Sequence, residues 1–421
     1  MYQEKRAFEL LEKLAFVRTA GTRQEAQAAQ ILAAELESFG VEAQIVPFEI
    51  QDAKEPRASL KVVAPYEKTY AVTGYKCGKS TPQGGLRAPL VYAENLHEAN
   101  LVDAQGKILL VNTRVTAEIY QKIVQSGAAG FISMSGSMLD EPDRTDLDTR
   151  KLREPLLRHG DMTGVHIRIA DAFEMVARGA QEVEVTLENE NETRTSQNVV
   201  VRMEGSKYPQ QVVSFGAHYD SVPFSTGVYD NGAGSVILME LARWFAKNPP
   251  LRTVEICWYG SEEIGLMGSK AYVSQLDEQQ LKQRVLMVNV DVAAPVLGHD
   301  TAIVTGAESF AHFTDYWMKM GGYPVTVKQD IYSSDCIPFA DKGIPAISFC
   351  RFGAQGAAFI HGRNDVMAYL SQQGLACTLR HVLPFSDALV RAAVFPVERE
   401  MPGEIVEKID RYLFKQDLKQ A

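Results

Sequence analysis

The sequence has no uninterrupted apolar stretch approaching the roughly 18 residues that a membrane span requires. It has no block of basic residues either: 43 lysines and arginines stand against 53 aspartates and glutamates in 421 residues, a formal charge of −10. Phosphate binding needs a basic face, so neither nucleic acid nor an anionic membrane is expected as a partner. Cysteine is scarce, odd in number and never arranged as CxxC: Cys77, Cys257, Cys336, Cys350 and Cys377. That argues against a disulfide framework or a structural zinc knuckle and leaves reduced thiols packed as small apolar side chains. The first residues, Met1 to Arg6, lack the apolar core of a signal peptide, so the expected location is cytoplasmic. Internal repeats and low-complexity tracts are missing as well.

What is there is ordinary for a globular protein with a sizeable core: 46% hydrophobic and 23% charged residues, and a length that suits two or three domains. Residues 1–50 read as two helices and a strand. Thr22 and Glu25 form a capping-box pattern, and Ala28, Leu32, Leu36 and Phe39 follow at helical spacing. Residues 55–190 differ in texture. Short extended runs (Leu60 to Ala64, Leu86 to Tyr92, Lys107 to Val111) alternate with turns, and Gly106 to Ser133 reads as strand, helix, strand, a crossover unit. Ser135 to Arg158 reads as a long loop and Glu188 to Ser196 as a polar joint. From residue 197 buried strands (Val212 to Gly216, Thr253 to Trp258, Leu286 to Val290, Ala302 to Thr305, Ala346 to Phe349) alternate with helical patterns, and Glu404 to Leu418 is amphipathic. The expected fold is α/β, a sheet covered by helices on both faces. The expected domains are 1–54 with 191–421, and an insertion at 55–190.

In the last block, potential metal ligands fall just after the expected strands: His218 with Asp220, Asp230, the pair Glu262 and Glu263, Asp291, and His361. Strand C-terminal ends are where α/β sheets build sites. Taken singly each signal is weak, since Asp-Asn-Gly is commonly a turn and Glu-Glu a solvated face. Together, two histidines and three carboxylates suit zinc or a similar divalent ion. Five ligands are too many for one ion. Two ions sharing one carboxylate would take three each, with Asp230 as the bridge, and Glu262 would be left as general base. The other six histidines (His97, His159, His166, His299, His312, His381) have no such context and are expected to be structural.

These residues carry a resemblance. Gly216 to Ser221, Asp230 to Gly234, Gly260 to Ser269, Val288 to Asp291 and His361 to Asp365 resemble, in content and order, the motif series of metallopeptidase family 28, the co-catalytic di-zinc aminopeptidases. Ser334 to Phe339 is similar to a further family segment. The resemblance implies a zinc-exopeptidase-like central mixed sheet, two divalent ions, and a peptide with a free amino terminus as substrate. It implies His218 and Asp291 on one ion, Glu263 and His361 on the other, and Asp230 between them. Glu262 would shuttle the proton from a bridging hydroxide to the leaving amine, and Asp220 would orient His218. Asp365 is read as a helix cap. Residues 55–190 resemble a protease-associated domain, a smaller β-rich insertion. Two positions depart from the pattern. Ile360 stands where many members have tyrosine, with Tyr332 or Arg351 as substitute donors, and Cys336 stands where histidine is common. Rival readings are carboxypeptidase, dipeptidase or glutaminyl cyclase chemistry on the same site, or a non-catalytic binding protein of this fold.

Overall fold

The computed structural model describes residues 3–141 and 146–415. The chain divides into two compact units, one built from Met1–Ile50 with Thr195–Ala421 and the other from Gln51–Arg194. The second unit thus begins four residues before, and ends four residues after, the boundaries expected at 55 and 190.

The first unit is organised by an eight-stranded sheet. Its strands are β1 (Gln44–Ala53), β2 (Asn191–Met203), β3 (Tyr208–His218), β4 (Arg252–Tyr259), β5 (Arg284–Val290), β6 (Gly298–Thr305), β7 (Val325–Gln329) and β8 (Ala346–Gly353). Their spatial order is β1-β2-β4-β3-β5-β8-β6-β7. The sheet is mixed. β4, β3, β5 and β8 run parallel to one another, while β2 is antiparallel to β4 and β6 to β8. Both faces are covered, and the sequence of β4 explains why. Every residue of β4 is buried, yet alternate side chains enter different clusters: Val254, Ile256 and Trp258 join one core, Cys257 and Tyr259 the other. Period-two alternation with apolar residues on both sides is what a doubly covered strand requires. The larger core receives helices α1 (Glu4–Lys13), α2 (Arg23–Glu37), α3 (Ala233–Lys247) and α4 (Gln372–Arg391). The smaller one receives Met267–Ser274, Cys336–Ala340 and Gly403–Tyr412.

The polar joint expected over Glu188 to Ser196 is instead mostly strand, because Asn191 to Thr195 alternate exposed and half-buried positions along β2. The C-terminal helix ends at Tyr412, earlier than the expected Leu418; positions 416–418 lie outside the described residues.

The second unit has its own nine-stranded sheet and its own cores. The crossover unit is present. Ile108–Leu110 and Gly130–Ser135 pair in parallel, joined by the helix Ala117–Gln125, whose Thr116 hydroxyl accepts the Ile119 N–H at 3.3 Å. The stretch read as a long loop carries a short strand, Arg150–Lys151, and one helical turn, Glu154–Leu157; part of it, 142–145, lies outside the described residues. Among the described residues no helix is long and apolar enough to cross a membrane.

Candidate metal centre

The parallel register of β4, β3, β5 and β8 brings their C-terminal ends to one edge of the sheet, and the expected ligands gather there. His218 closes β3 and Asp291 directly follows β5. Glu262 and Glu263 lie on the turn after β4, and His361 lies on the loop after β8. Asp230 lies on the turn Val228–Gly232 that enters α3, and its peptide bond to Asn231 is cis.

The side chains form two triads, His218 with Asp230 and Asp291, and Asp230 with Glu263 and His361, each with donor atoms within 4.8 Å of one another. Asp230 belongs to both. Its Oδ1 lies 3.1 Å from His218 Nε2 and its Oδ2 3.2 Å from His361 Nε2. His361 Nε2 is also 3.2 Å from Glu263 Oε2, and His218 Nε2 is 3.6 Å from Asp291 Oδ1.

Electrostatics report what this assembly lacks. Burial disfavours a charge on His218, but Glu262, Asp220, Asp230 and Asp291 together hold its imidazole well above the usual range. Hydrogen bonds to Asp230 and Glu263 push His361 up to about 11. Burial and the Asp230 charge push Glu263 up to about 7, and burial drives Glu262 well above the carboxylate range. The raised imidazoles and raised carboxylates mark a buried surplus of negative charge that a cation would offset. Asp291 Oδ1 and Glu263 Oε1 are buried with no hydrogen-bond partner. Imidazole and carboxylate donors with unpaired oxygens, three per triad, fit two zinc-like cations with coordination positions to spare.

The clustered side chains are held by a further set of groups, of which Asp220 was expected. Asp220 lies with Oδ1 3.4 Å from His218 Nδ1, and it also accepts the Glu262 N–H at 2.9 Å and the Glu263 N–H at 3.2 Å. Asp365 is not a helix cap. It accepts the backbone N–H groups of Tyr229 at 2.8 Å and Asp230 at 3.2 Å, which ties the His361 loop to the Asp230 turn. Asn231 donates to the Val290 carbonyl at 2.8 Å and accepts from Val292 N–H at 3.2 Å, so Asp230 and Asp291 share one brace. Glycine is required at 234, where a Cβ would lie 2.3 Å from Asn231 Oδ1 and 2.4 Å from the Val290 carbonyl. Arg18 is wholly buried and donates to the carbonyls of Leu14, Phe16, Tyr219, Thr226 and Gly227, binding the N-terminal segment to the loop between His218 and Asp230.

Asp335 is a further buried carboxylate, pushed up to about 7 by burial against the opposing pull of His218 and Ser269. A carboxylate directly before the apolar stretch Cys336 to Phe339 was the signal that could have found it. Of the two substitute donors, Arg351 is engaged elsewhere, donating to Asp300 at 2.7 Å and to the Pro295 carbonyl at 3.4 Å. Cys336 is fully buried, with its sulfur accepting from the Ser348 hydroxyl at 3.3 Å, a packing role.

Comparison with known proteins agrees with this geometry. Residues 198–386 match the sequence profile of Peptidase family M28. Aminopeptidase YwaD of Bacillus subtilis (strain 168) is 28% identical over 433 residues, covering 97% of this chain and 88% of the relative. Leucine aminopeptidase 2 of Trichophyton rubrum is 32% identical over 223 residues, which covers 51% of this chain and 43% of that protein. In three dimensions the chain is similar to BSAP, a zinc aminopeptidase from Bacillus subtilis, with a TM-score of 0.76 at 23% identity over 92% of this chain and 95% of that one. That likeness spans both units in fold. Motif order and matched segment agree in one respect: residues 198–386 are similar to Peptidase family M28, and the fold is similar to that of a zinc aminopeptidase.

Proposed function

We propose that the protein is an aminopeptidase that removes N-terminal residues from peptides, with two divalent ions, zinc by donor chemistry, held as His218, Asp230, Asp291 and Asp230, Glu263, His361. The observation that carries the reading is the pair of triads sharing Asp230 beside Glu262. When bound, two such ions polarise a carbonyl and lower the pKa of a shared water. The chain's own contribution is proton transfer and alignment. Glu262 takes the proton of the attacking water and returns it to the leaving amine. Asp220 keeps Glu262 in place through its backbone N–H and keeps His218 in one orientation.

The charge balance favours an amino terminus over a carboxyl terminus. With two divalent ions bound, the carboxylates of Asp220, Asp230, Glu262, Glu263, Asp291 and Asp335 would outnumber the positive charges and leave negative charge to meet a substrate ammonium. A carboxypeptidase would need a cation for the terminal carboxylate; of the two arginines near the site in sequence, Arg351 and Arg363, the first is paired with Asp300. The strand-helix-strand crossover of residues 55–190 supports assigning that insertion to the protease-associated type.

The test combines metal analysis with substrates. The wild-type chain should hold about two zinc ions and hydrolyse aminoacyl anilides but not amino-blocked peptides. Cleavage of the blocked peptides favours the carboxypeptidase reading, and fewer than about one ion per chain favours a binding protein. Glu262→Gln should keep its metal and lose about 10²–10⁴ in kcat; a near wild-type rate would sink the mechanism.

A further inference from the structure

Glu25 stands at the third position of α2 and is wholly buried. Its Oε2 accepts the Gly21 N–H at 2.7 Å, and its Oε1 accepts the hydroxyls of Ser196 and Ser261, each at 3.0 Å. A reciprocal capping box would send this carboxylate to the N–H of the cap residue, Thr22. Capping accounts for the Thr22 hydroxyl, which accepts the Glu25 N–H at 3.3 Å, but not for the two serines.

One of those serines directly precedes Glu262. Ser261 has φ +56°, a left-handed conformation that a residue with a Cβ adopts at a cost and keeps when its surroundings hold it there. Gly260, before it, has no room for a side chain: a Cβ would lie 2.9 Å from Glu25 Oε1 and 2.6 Å from both Ser196 Oγ and the Gln197 carbonyl. Glu25 therefore packs against the backbone two residues from Glu262 and binds the hydroxyl between them. Asp220 grips the next two residues by their N–H groups. The turn that carries the base and a metal ligand is clamped at both ends by carboxylates from other parts of the chain.

We propose that Glu25 is a positioning residue for catalysis: by fixing the left-handed turn at Ser261, it aims Glu262 and Glu263. This deepens the aminopeptidase reading above and rests on it. The side chain is suited to the task because its two oxygens gather three partners from three parts of the chain. Alanine would leave all three without it, whereas glutamine could keep its oxygen on the Gly21 N–H and donate its NH2 to the two serine oxygens.

The experiment uses the full-length zinc-loaded enzyme with leucine p-nitroanilide, alongside amide hydrogen exchange. Glu25→Ala should retain both zinc ions and keep KM within about twofold. Its kcat should fall by about tenfold to a hundredfold, the scale set by a small misplacement of a reacting group. Amides of residues 260–266 should exchange faster. Ser261→Ala should do the same, and the double variant should be no worse than the more damaging single one. Leu36→Ala, at the far end of α2, is the control: it should lower Tm and leave kcat and the 260–266 exchange unchanged. A folded Glu25→Ala enzyme with wild-type kcat and wild-type exchange overturns the proposal, as does a Leu36→Ala control that slows turnover equally. If Glu25→Ala does not fold, Ser261→Ala decides by the same two readouts. If the wild-type chain is inert on every anilide, the aminopeptidase reading fails, while exchange at 260–266 still decides on Glu25, an unchanged pattern refuting it.

Discussion

Acid should loosen the inserted unit through a single imidazole. His166 is buried on the strand Thr163–Arg168, with Nδ1 2.7 Å from the Ser133 hydroxyl and Nε2 2.7 Å from the Ser135 hydroxyl. The Tyr75 hydroxyl continues the chain, 2.7 Å from Ser133 Oγ. A neutral imidazole offers one donor and one acceptor to the two serines; an imidazolium would offer two donors and a buried charge. Burial first, and then the Arg150 charge, lower its pKa from 6.5 to about 3. The sign follows directly. Above pH 6.5 neither the folded nor the unfolded chain protonates this residue, so stability does not depend on it. Below 6.5 the unfolded chain takes up a proton that the folded chain refuses until about pH 3. The loss is about 1.4 kcal/mol per pH unit, close to 3 kcal/mol by pH 4.5 and about 5 kcal/mol at most. The assay is urea unfolding of wild type and His166→Gln across pH 7 to 4.5, followed by exchange of amides in Gly130–Ser135 and Thr163–Arg168. The variant starts less stable and lacks this titration, so the gap between the two curves should close by about 3 kcal/mol on acidification. A gap that stays constant to within about 0.5 kcal/mol would show that His166 is not held neutral.

Two further outcomes follow from the braces around the metal centre. Arg18→Met strips the donor from five carbonyls and should lower the stability of the first unit by about 3 kcal/mol or more, read by urea unfolding with a chelator present; a change below about 1 kcal/mol refutes the bracing role. Asp365→Asn replaces one of two acceptors facing the Tyr229 and Asp230 N–H groups with a donor. It should weaken zinc binding by about 10- to 100-fold in a chelator competition, and wild-type affinity would count against it.

The clustered residues were legible in the sequence because His218, Glu263 and Asp291 are ionisable residues at or just past the ends of buried strands, with Asp230 at a helix entrance and His361 on a loop to complete the set. Most of the groups holding them were not. Arg18, Asn231 and Asp365 act on backbone N–H and carbonyl groups, which every residue has, so no partner type marks them. Glu25 was visible but under the wrong role, since the capping pattern predicts a local partner and two of its three partners are serines more than 170 positions away. The mixed sheet was legible where strands are buried on both faces, as β4 is. It was hidden where one side is wet, as along β2, whose exposed alternate residues read as a polar joint.

The two triads differ in their access to solvent. The side chain of His361 is 55% exposed, whereas His218 is 1% and Asp291 6% exposed. The outer triad presents an exposed imidazole to water and small chelators, and the inner triad has only buried side chains. Cations held by the two triads should therefore differ in lability even at equal affinity. Brief dialysis against a weak chelator would strip the outer position first, and a second metal added afterwards would give a mixed-metal enzyme of defined arrangement, a direct route to asking which ion governs turnover.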